Sequence, residues 1–411
     1  MKLSALPRRA RKSSTESRRG VLMAWTIWMM LTAGIIAGSL FHVLWLSGIR
    51  AQAYNCASSA ALAAGHSYLS DDMLRFRQPS FEYDGRVTRC RNAAISMVES
   101  YRRGTSLPPI TEQQVLVDWS GAEGPVMDPA LVVPSRISVS FDSAGQSTPV
   151  GSFFGGLTGK VRSQPGVQAS VCLEHAPIAF RPAPNANVPV LPFTICDDGM
   201  VQAAGQGAAT PASASQGFWT SGIESGKGVD NYSWNSQSNR FERGPDGLPE
   251  LTVAIYSSGG TSSPDAFIPL VFGNSASPVA GEAIPKWISE GLTLADLQSL
   301  GKQEISFPGM MPVASLTAKD LQSCAAALQE KSSQPCLLCL SSAPQLQKGL
   351  TSISLKRPVA VRIVQVNSSA SGSVKVTLQP CVMVTATAVT AAPSVSNNVI
   401  NRYVYSVRLI N

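Results

Sequence analysis

Residues 21–69 read VLMAWTIWMMLTAGIIAGSLFHVLWLSGIRAQAYNCASSAALAAGHSYL, and this stretch decides the architecture. Its first part, Val21–Gly48, contains no Lys, Arg, Asp or Glu and one histidine, His42. At about 1.5 Å of rise per residue, such a run exceeds a hydrocarbon core of roughly 30 Å, so the sequence predicts one tilted transmembrane helix. Trp25 and Trp28 toward one end and Trp45 toward the other suit the two interfaces. A cleaved secretory signal with Ala51-Gln52-Ala53 as its site is the competing reading, but signal h-regions run only about 7 to 15 residues. His42 has no ionisable partner within the run and reads as a packed or interfacial histidine.

On the amino side of the run, residues 1–20 form a basic tail. Lys2, Arg8, Arg9, Arg11, Lys12, Arg18 and Arg19 stand there against a single acid, Glu16. Only Arg50 follows the run closely, so the positive-inside rule keeps the amino end in the cytoplasm and places the rest of the chain outside. The tail also accounts for nearly all of the net charge of +7, leaving the remainder close to neutral. A basic surface for nucleic acid on the folded part is therefore not expected. With 14% charged residues over 411 positions, the chain is not of the charge-driven disordered class and is long enough for about two or three domains.

On the carboxyl side, Arg50–Leu69 is rich in alanine and free of proline, which favours continuation of the same helix into solvent. Ala53, Ala57, Ala60, Ala61 and Ala64 recur at three- and four-residue spacing and form a small-residue seam that lets another helix approach closely. Arg86–Arg103 has Val87, Ala94, Val98 and Tyr101 roughly on one face and is ended by Gly104 and Pro108-Pro109, which predicts a second helix folding back as a hairpin. Cys56 and Cys90 would face each other across it.

Beyond Pro109 the texture becomes β. Gln113–Trp119, Arg136–Phe141 and Gln168–Leu173 are β-branched or alternating, with Gly, Pro and Ser punctuation. Residues 199–250 read as a long surface excursion. Thr293 and Thr317 each precede an acid by three residues and open short helices reaching Leu300 and Lys331. Pro358–Val366, Gly372–Val389 and Tyr403–Ile410 predict a terminal antiparallel sheet. The expected class is α+β: a single transmembrane helix continuing into an Ala-rich hairpin, then a mainly β extracytoplasmic region with short helices. The division is tail 1–20, membrane helix 21–48, stem 49–106, irregular β-rich region 107–290, and short helices with the terminal sheet 291–411.

Catalytic constellations are scarce, so no catalytic, cofactor or metal residue is assigned and the chain reads as a non-enzyme. Three histidines, one of them in the membrane run, leave little for acid/base or metal work. Cys56, Cys90, Cys172, Cys196, Cys324, Cys336, Cys339 and Cys381 all lie beyond the membrane run, where an oxidising compartment favours disulfides. Cys336-Leu-Leu-Cys339 is motif-like, but it has no second C-x-x-C and His66 and His175 are distant in sequence. It reads as structural, in a loop beginning at Pro335. Gly222–Gly228 departs from a phosphate loop in its spacing and in the glycine where Ser or Thr should bind magnesium. Gly151, Gly155, Gly156 and Gly159 lack a dinucleotide frame. Asp118-Trp119-Ser120 opens like the metal site of von Willebrand A-type domains, but Ala122 replaces the second serine. Asn231 and Asn367 head glycosylation sequons that matter only in a glycosylating pathway.

The first 65 residues resemble the amino-terminal module of TadE/TadG-like pilus-assembly proteins of the tight-adherence (Flp pilus) system. Arg18-Arg19-Gly20 ends the tail as in that family. Tyr54–Gly65 follows its Ala-rich helix at Asn55, Ala57, Ala60, Ala61, Leu62 and Ala63, with Tyr54 and Ser58 departing from the family's Gln and Asp. The resemblance implies a single-pass inner-membrane protein of a bacterium, without cofactor. Its partners would be other pilus-machinery or envelope proteins, with a possible homo-oligomer through the stem. Two alternatives stand beside it. In a pilin or pseudopilin, Gly20 would end the leader, yet Trp25 occupies the place of the usual Glu. In a membrane-anchored thiol enzyme, Cys336 and Cys339 would act.

Overall fold

The computed structural model describes residues 15–75, 81–103, 107–119, 133–141, 150–151, 162–163, 166–197, 218–255, 266–272, 280–342, 352–369, 373–391 and 401–410. The class is mixed α+β, with one long apolar amino-terminal helix and a largely β remainder.

That helix runs unbroken from Thr15 to Tyr68. No proline interrupts it, and its hydroxyls bond back to its own carbonyls: Thr26 to Met23 at 2.9 Å, Thr32 to Trp28 at 2.8 Å and Ser39 to Ile35 at 2.8 Å. The apolar part thus presents no unmet side-chain hydroxyl at these positions. From Val21 to Trp45 the large apolar side chains are exposed, whereas burial begins at Ile49. By length and composition the exposed part can cross a membrane. A second helix, Phe81–Arg102, lies antiparallel to the stem: Arg86 stacks over the Tyr68 ring at 5.5 Å, and the Tyr101 hydroxyl meets Ser59 Oγ at 3.3 Å.

The stem rests on a five-stranded sheet in the order Val115–Asp118, Arg136–Ser140, Gln168–Glu174, Val404–Ile410, Met383–Val384. All its pairings are antiparallel except the last. Ile137, Val139, Val171 and Leu173 alternate along their strands as buried apolar residues on one face, while Ser138 and Ser170 on the other are buried and hydrogen-bonded to each other at 2.8 Å.

The second sheet is a barrel built around the 17-residue strand Ser352–Ser368. One edge of that strand pairs with Pro335–Ser341, and the other with Gly309–Pro312 and then Val374–Pro380. Val374–Pro380 also pairs with Leu251–Ile255, which joins Ala266–Pro269, Val190–Cys196 and so back to Pro335–Ser341. Closure leaves these six strands without a free edge. Phe193 and Phe267, on paired strands, stack at 4.4 Å between ring centroids. Three helices flank the barrel: Ala280–Glu290, Leu294–Ser299 and Ala318–Glu330. The last two open on the Thr293/Asp296 and Thr317/Asp320 capping boxes read in the sequence.

Both sheets draw strands from either side of residue 290. Two expectations are corrected here. Ser352–Ser368 and Val374–Pro380 do pair antiparallel, but the carboxyl-terminal strand Val404–Ile410 joins the other sheet, antiparallel to Gln168–Glu174 and parallel to Met383–Val384. Pro335 begins a strand, not a loop, so Cys336 and Cys339 lie in the barrel wall. Of the excursion, residues 218–250 form a π-turn at Thr220–Glu224 and a hairpin of Tyr232–Asn235 with Arg240–Arg243. Residues 199–217 lie outside the described residues.

Candidate functional site

The seam is the most developed feature of the sequence reading. Ala53, Ala57, Ala60, Ala61 and Ala64 are all fully shielded from solvent, as are Cys56, Cys90, Ala94 and Val98 on the two helices. The need for small residues is sharpest at Gly65: a methyl group there would sit 3.2 Å from Val407 Cγ1 and 3.3 Å from Leu173 Cδ2 and Val171 Cγ2. The helix axis therefore approaches the sheet as closely as an unsubstituted backbone permits. At the top of the stem Tyr68 is buried edge-on to Trp119 at 6.1 Å.

Above Tyr68 the chain turns through Asp71–Leu74 and is fastened to the barrel. Asp71 accepts the Val382 backbone N–H at 2.7 Å and pairs with Arg362. The Arg362 guanidinium also lies over the Trp234 ring at 4.6 Å. Asp72 receives Arg75 at 3.1 Å and Arg89 at 2.8 Å, tying the turn to the second helix. The stem portion of the long helix, from Ile49 onward, is thus packed into the fold against the five-stranded sheet, and its tip is joined to the barrel.

The structure contains no disulfide: all eight cysteines carry free thiols, seven of them buried and Cys172 partly so. For Cys336 and Cys339 the reason is geometric. Residues three apart in a strand point to opposite faces, and these two face Val361 and Pro358 of the neighbouring strand. Burial pushes the Cys56, Cys196 and Cys336 thiols up to about 11 and those of Cys90, Cys324 and Cys339 to about 12. Burial raises Cys172 and Cys381 as well. Thiols so placed stay protonated at neutral pH and are poor nucleophiles. In native, unreduced protein a maleimide is expected to modify Cys172 at most, and after denaturation without reductant to modify all eight. A count below eight in the denatured sample would demonstrate disulfides.

The remaining motifs dissolve into local structure. Gly222–Gly228 closes on itself: the Gly228 N–H bonds the Gly222 carbonyl at 2.8 Å, and a Cβ on Gly228 would meet Pro249 Cβ at 2.8 Å, leaving no cradle for phosphate. Asp118 ends its strand, and Ser120, Ala122, Gly155, Gly156 and Gly159 lie outside the described residues. Asn231 and Asn367 are exposed. His66 is exposed on the stem, and His175 packs 6.4 Å from the Tyr405 ring. Among the described residues no three His, Cys, Asp or Glu side chains are placed to hold a metal ion. A shallow depression of about 260 Å³ is lined by Lys302, Glu304, Ser306 and Met311, but the Lys302 ammonium is tied to the Met310 carbonyl at 2.5 Å.

One polar constellation was not anticipated. Arg357 reaches Glu224 Oε1 at 2.7 Å and Asp197 Oδ2 at 3.1 Å. Thr220 donates from its backbone and its hydroxyl to Asp197, both at 3.0 Å. Tyr403 donates to Glu224 at 3.1 Å and accepts from the buried Trp219 indole at 3.3 Å. Burial alone would raise the Glu224 carboxyl, but Arg357, Tyr403 and Thr220 outweigh it and hold the group below the usual range. The network pins the π-turn to the barrel. Its directly bonded members are up to 184 residues apart, so no spacing could have revealed it.

Compared with protein-family models, curated proteins and solved structures, the chain has no match.

Proposed function

We propose that the chain is a membrane-anchored, non-catalytic assembly protein of the cell envelope, of the tight-adherence pilus type. It crosses the inner membrane once, with its amino end in the cytoplasm and its folded region outside. The observation that carries this reading is the single helix Thr15–Tyr68, exposed and apolar in one half and packed into the fold in the other. An anchor of this kind fixes the height and tilt of the folded region, which suits a scaffold component more than a tethered enzyme. The buried, protonated thiols favour the same reading over a thiol enzyme. Because the chain's own elements fill the alanine seam, partners would meet the outer faces of the stem or the barrel surface.

In a strain lacking the protein, surface pili are expected to be lost. Full-length chain should restore them, while a version released by a cleavable signal in place of residues 21–48 should not. Normal piliation in the deletion strain would overturn the proposal.

A further inference from the structure

Arg86, in the second turn of the helix Phe81–Arg102, is only 3% exposed. Its guanidinium lies 5.5 Å from the centroid of the Tyr68 ring, whose face attracts the charge but gives the N–H groups no oxygen. Nε and Nη1 are shielded from solvent and have no hydrogen-bond acceptor, whereas Nη2 is not enclosed in this way. Among the described residues Arg86 joins no ion pair; by contrast Arg75 and Arg89 pair with Asp72, and Arg362 with Asp71. A buried charge with unmet donors is among the costliest arrangements in a folded chain, and such an orphan points to an acceptor supplied from outside. The surroundings are rich in donors and positive charge. Tyr405, on the strand Val404–Ile410, is buried, and burial followed by the neighbouring Tyr68 hydroxyl pushes its own hydroxyl pKa up, while the charges of Arg86 and Arg402 pull it down. The hydroxyl therefore stays protonated and able to donate, and among the described residues no carboxylate acts on it.

We propose that Arg86, with Tyr405 and Arg402 beside it, binds a small oxyanion of the phosphate class where the second helix meets the top of the stem and the five-stranded sheet. Nε and Nη2 form the side-on fork of a guanidinium, which matches two oxygens of such a group, and the unenclosed Nη2 gives the anion its approach. The two arginine charges match a doubly charged anion better than a single carboxylate. Bound there, the anion bridges the second helix and the strand Val404–Ile410. The inference is independent of the membrane-spanning reading of Val21–Gly48.

The test uses full-length protein in detergent and equilibrium dialysis against radiolabelled inorganic phosphate, with chloride holding the ionic strength constant. Saturable binding of one phosphate per chain is expected. Arg86→Met should abolish it, and Arg86→Lys, which keeps the charge but not the fork, should weaken it about tenfold or more. Thermal unfolding supplies a second readout. In phosphate-free buffer Arg86→Met should melt at or above the wild type, because it removes a stranded charge. Added phosphate should raise the wild-type melting temperature more than that of the variant, which controls for the general stabilising effect of phosphate on folded proteins. Absence of stoichiometric binding, or binding that survives Arg86→Met, overturns the site. So does an Arg86→Met protein that fails to fold or melts well below the wild type without phosphate, since the guanidinium would then have its charge met within the chain.

Discussion

Replacing Ala57 and Ala61 together with leucine is expected to lower the thermal stability of the folded protein sharply. Both side chains are fully buried within the chain's own packing, on a helix that a few residues later touches the sheet through Gly65. Leucine adds three carbons at each position and must push away either the second helix or the sheet. Overpacking costs about 1–3 kcal/mol per site. Two sites on one seam therefore remove a large share of a total stability of about 5–15 kcal/mol. The displacement also strains the tip, where Asp71 holds Val382 and Arg362. Thermal unfolding in detergent, followed by circular dichroism, checks this. Gly34→Ala is the control, since nothing lies within 4 Å of the added methyl, and it should melt like the wild type. A double variant that melts with the control would mean that the seam is not close-packed.

The parts of the fold legible in the sequence are those in which one local rule acts alone. The apolar run, the alanine spacing and the two Thr/Asp capping boxes each depend on residues within a few turns of one another, and each element appears with the expected limits to within a few residues. The barrel was not legible, because Val190–Cys196 and Pro335–Ser341 are buried along almost their whole length. A strand covered on both faces shows no alternation, and the short apolar run PCLLCLS reads equally as loop or strand. The pairing of Val404–Ile410 with Gln168–Glu174 spans more than 200 residues, beyond any periodicity. The Arg357 network depends on four separate segments and could be found only from the fold.

Arg357→Met is expected to destabilise the folded region by about 3 kcal/mol at neutral pH, and the deficit should shrink as the solution is acidified. The arginine side chain is 28% exposed and its partners Asp197 and Glu224 8% and 22%, so its removal leaves two poorly solvated carboxylates facing each other across Thr220. Breaking a buried pair at one partner costs about 3–5 kcal/mol, and the partial exposure here favours the lower end. The pH dependence follows from Glu224. In the wild type its folded pKa lies below the unfolded value of about 4.3, so its contribution is fully present above that pH and is lost as pH falls through the folded pKa. Without Arg357, burial becomes the leading influence and raises the Glu224 pKa. Protonation then begins at higher pH in the variant and relieves it while the wild type still gains from its ion pair. Urea unfolding between neutral and mildly acidic pH should show the two stability curves converging on the acid side. Adding Glu224→Gln to Arg357→Met should recover part of the loss, because it removes the unpaired charge that the single variant strands. Parallel curves over this range, or a double variant no more stable than the single one, would mean that the network does not hold Trp219 and the π-turn by charge, leaving the Thr220–Asp197 hydrogen bonds and the indole's contact with Tyr403 to fasten it.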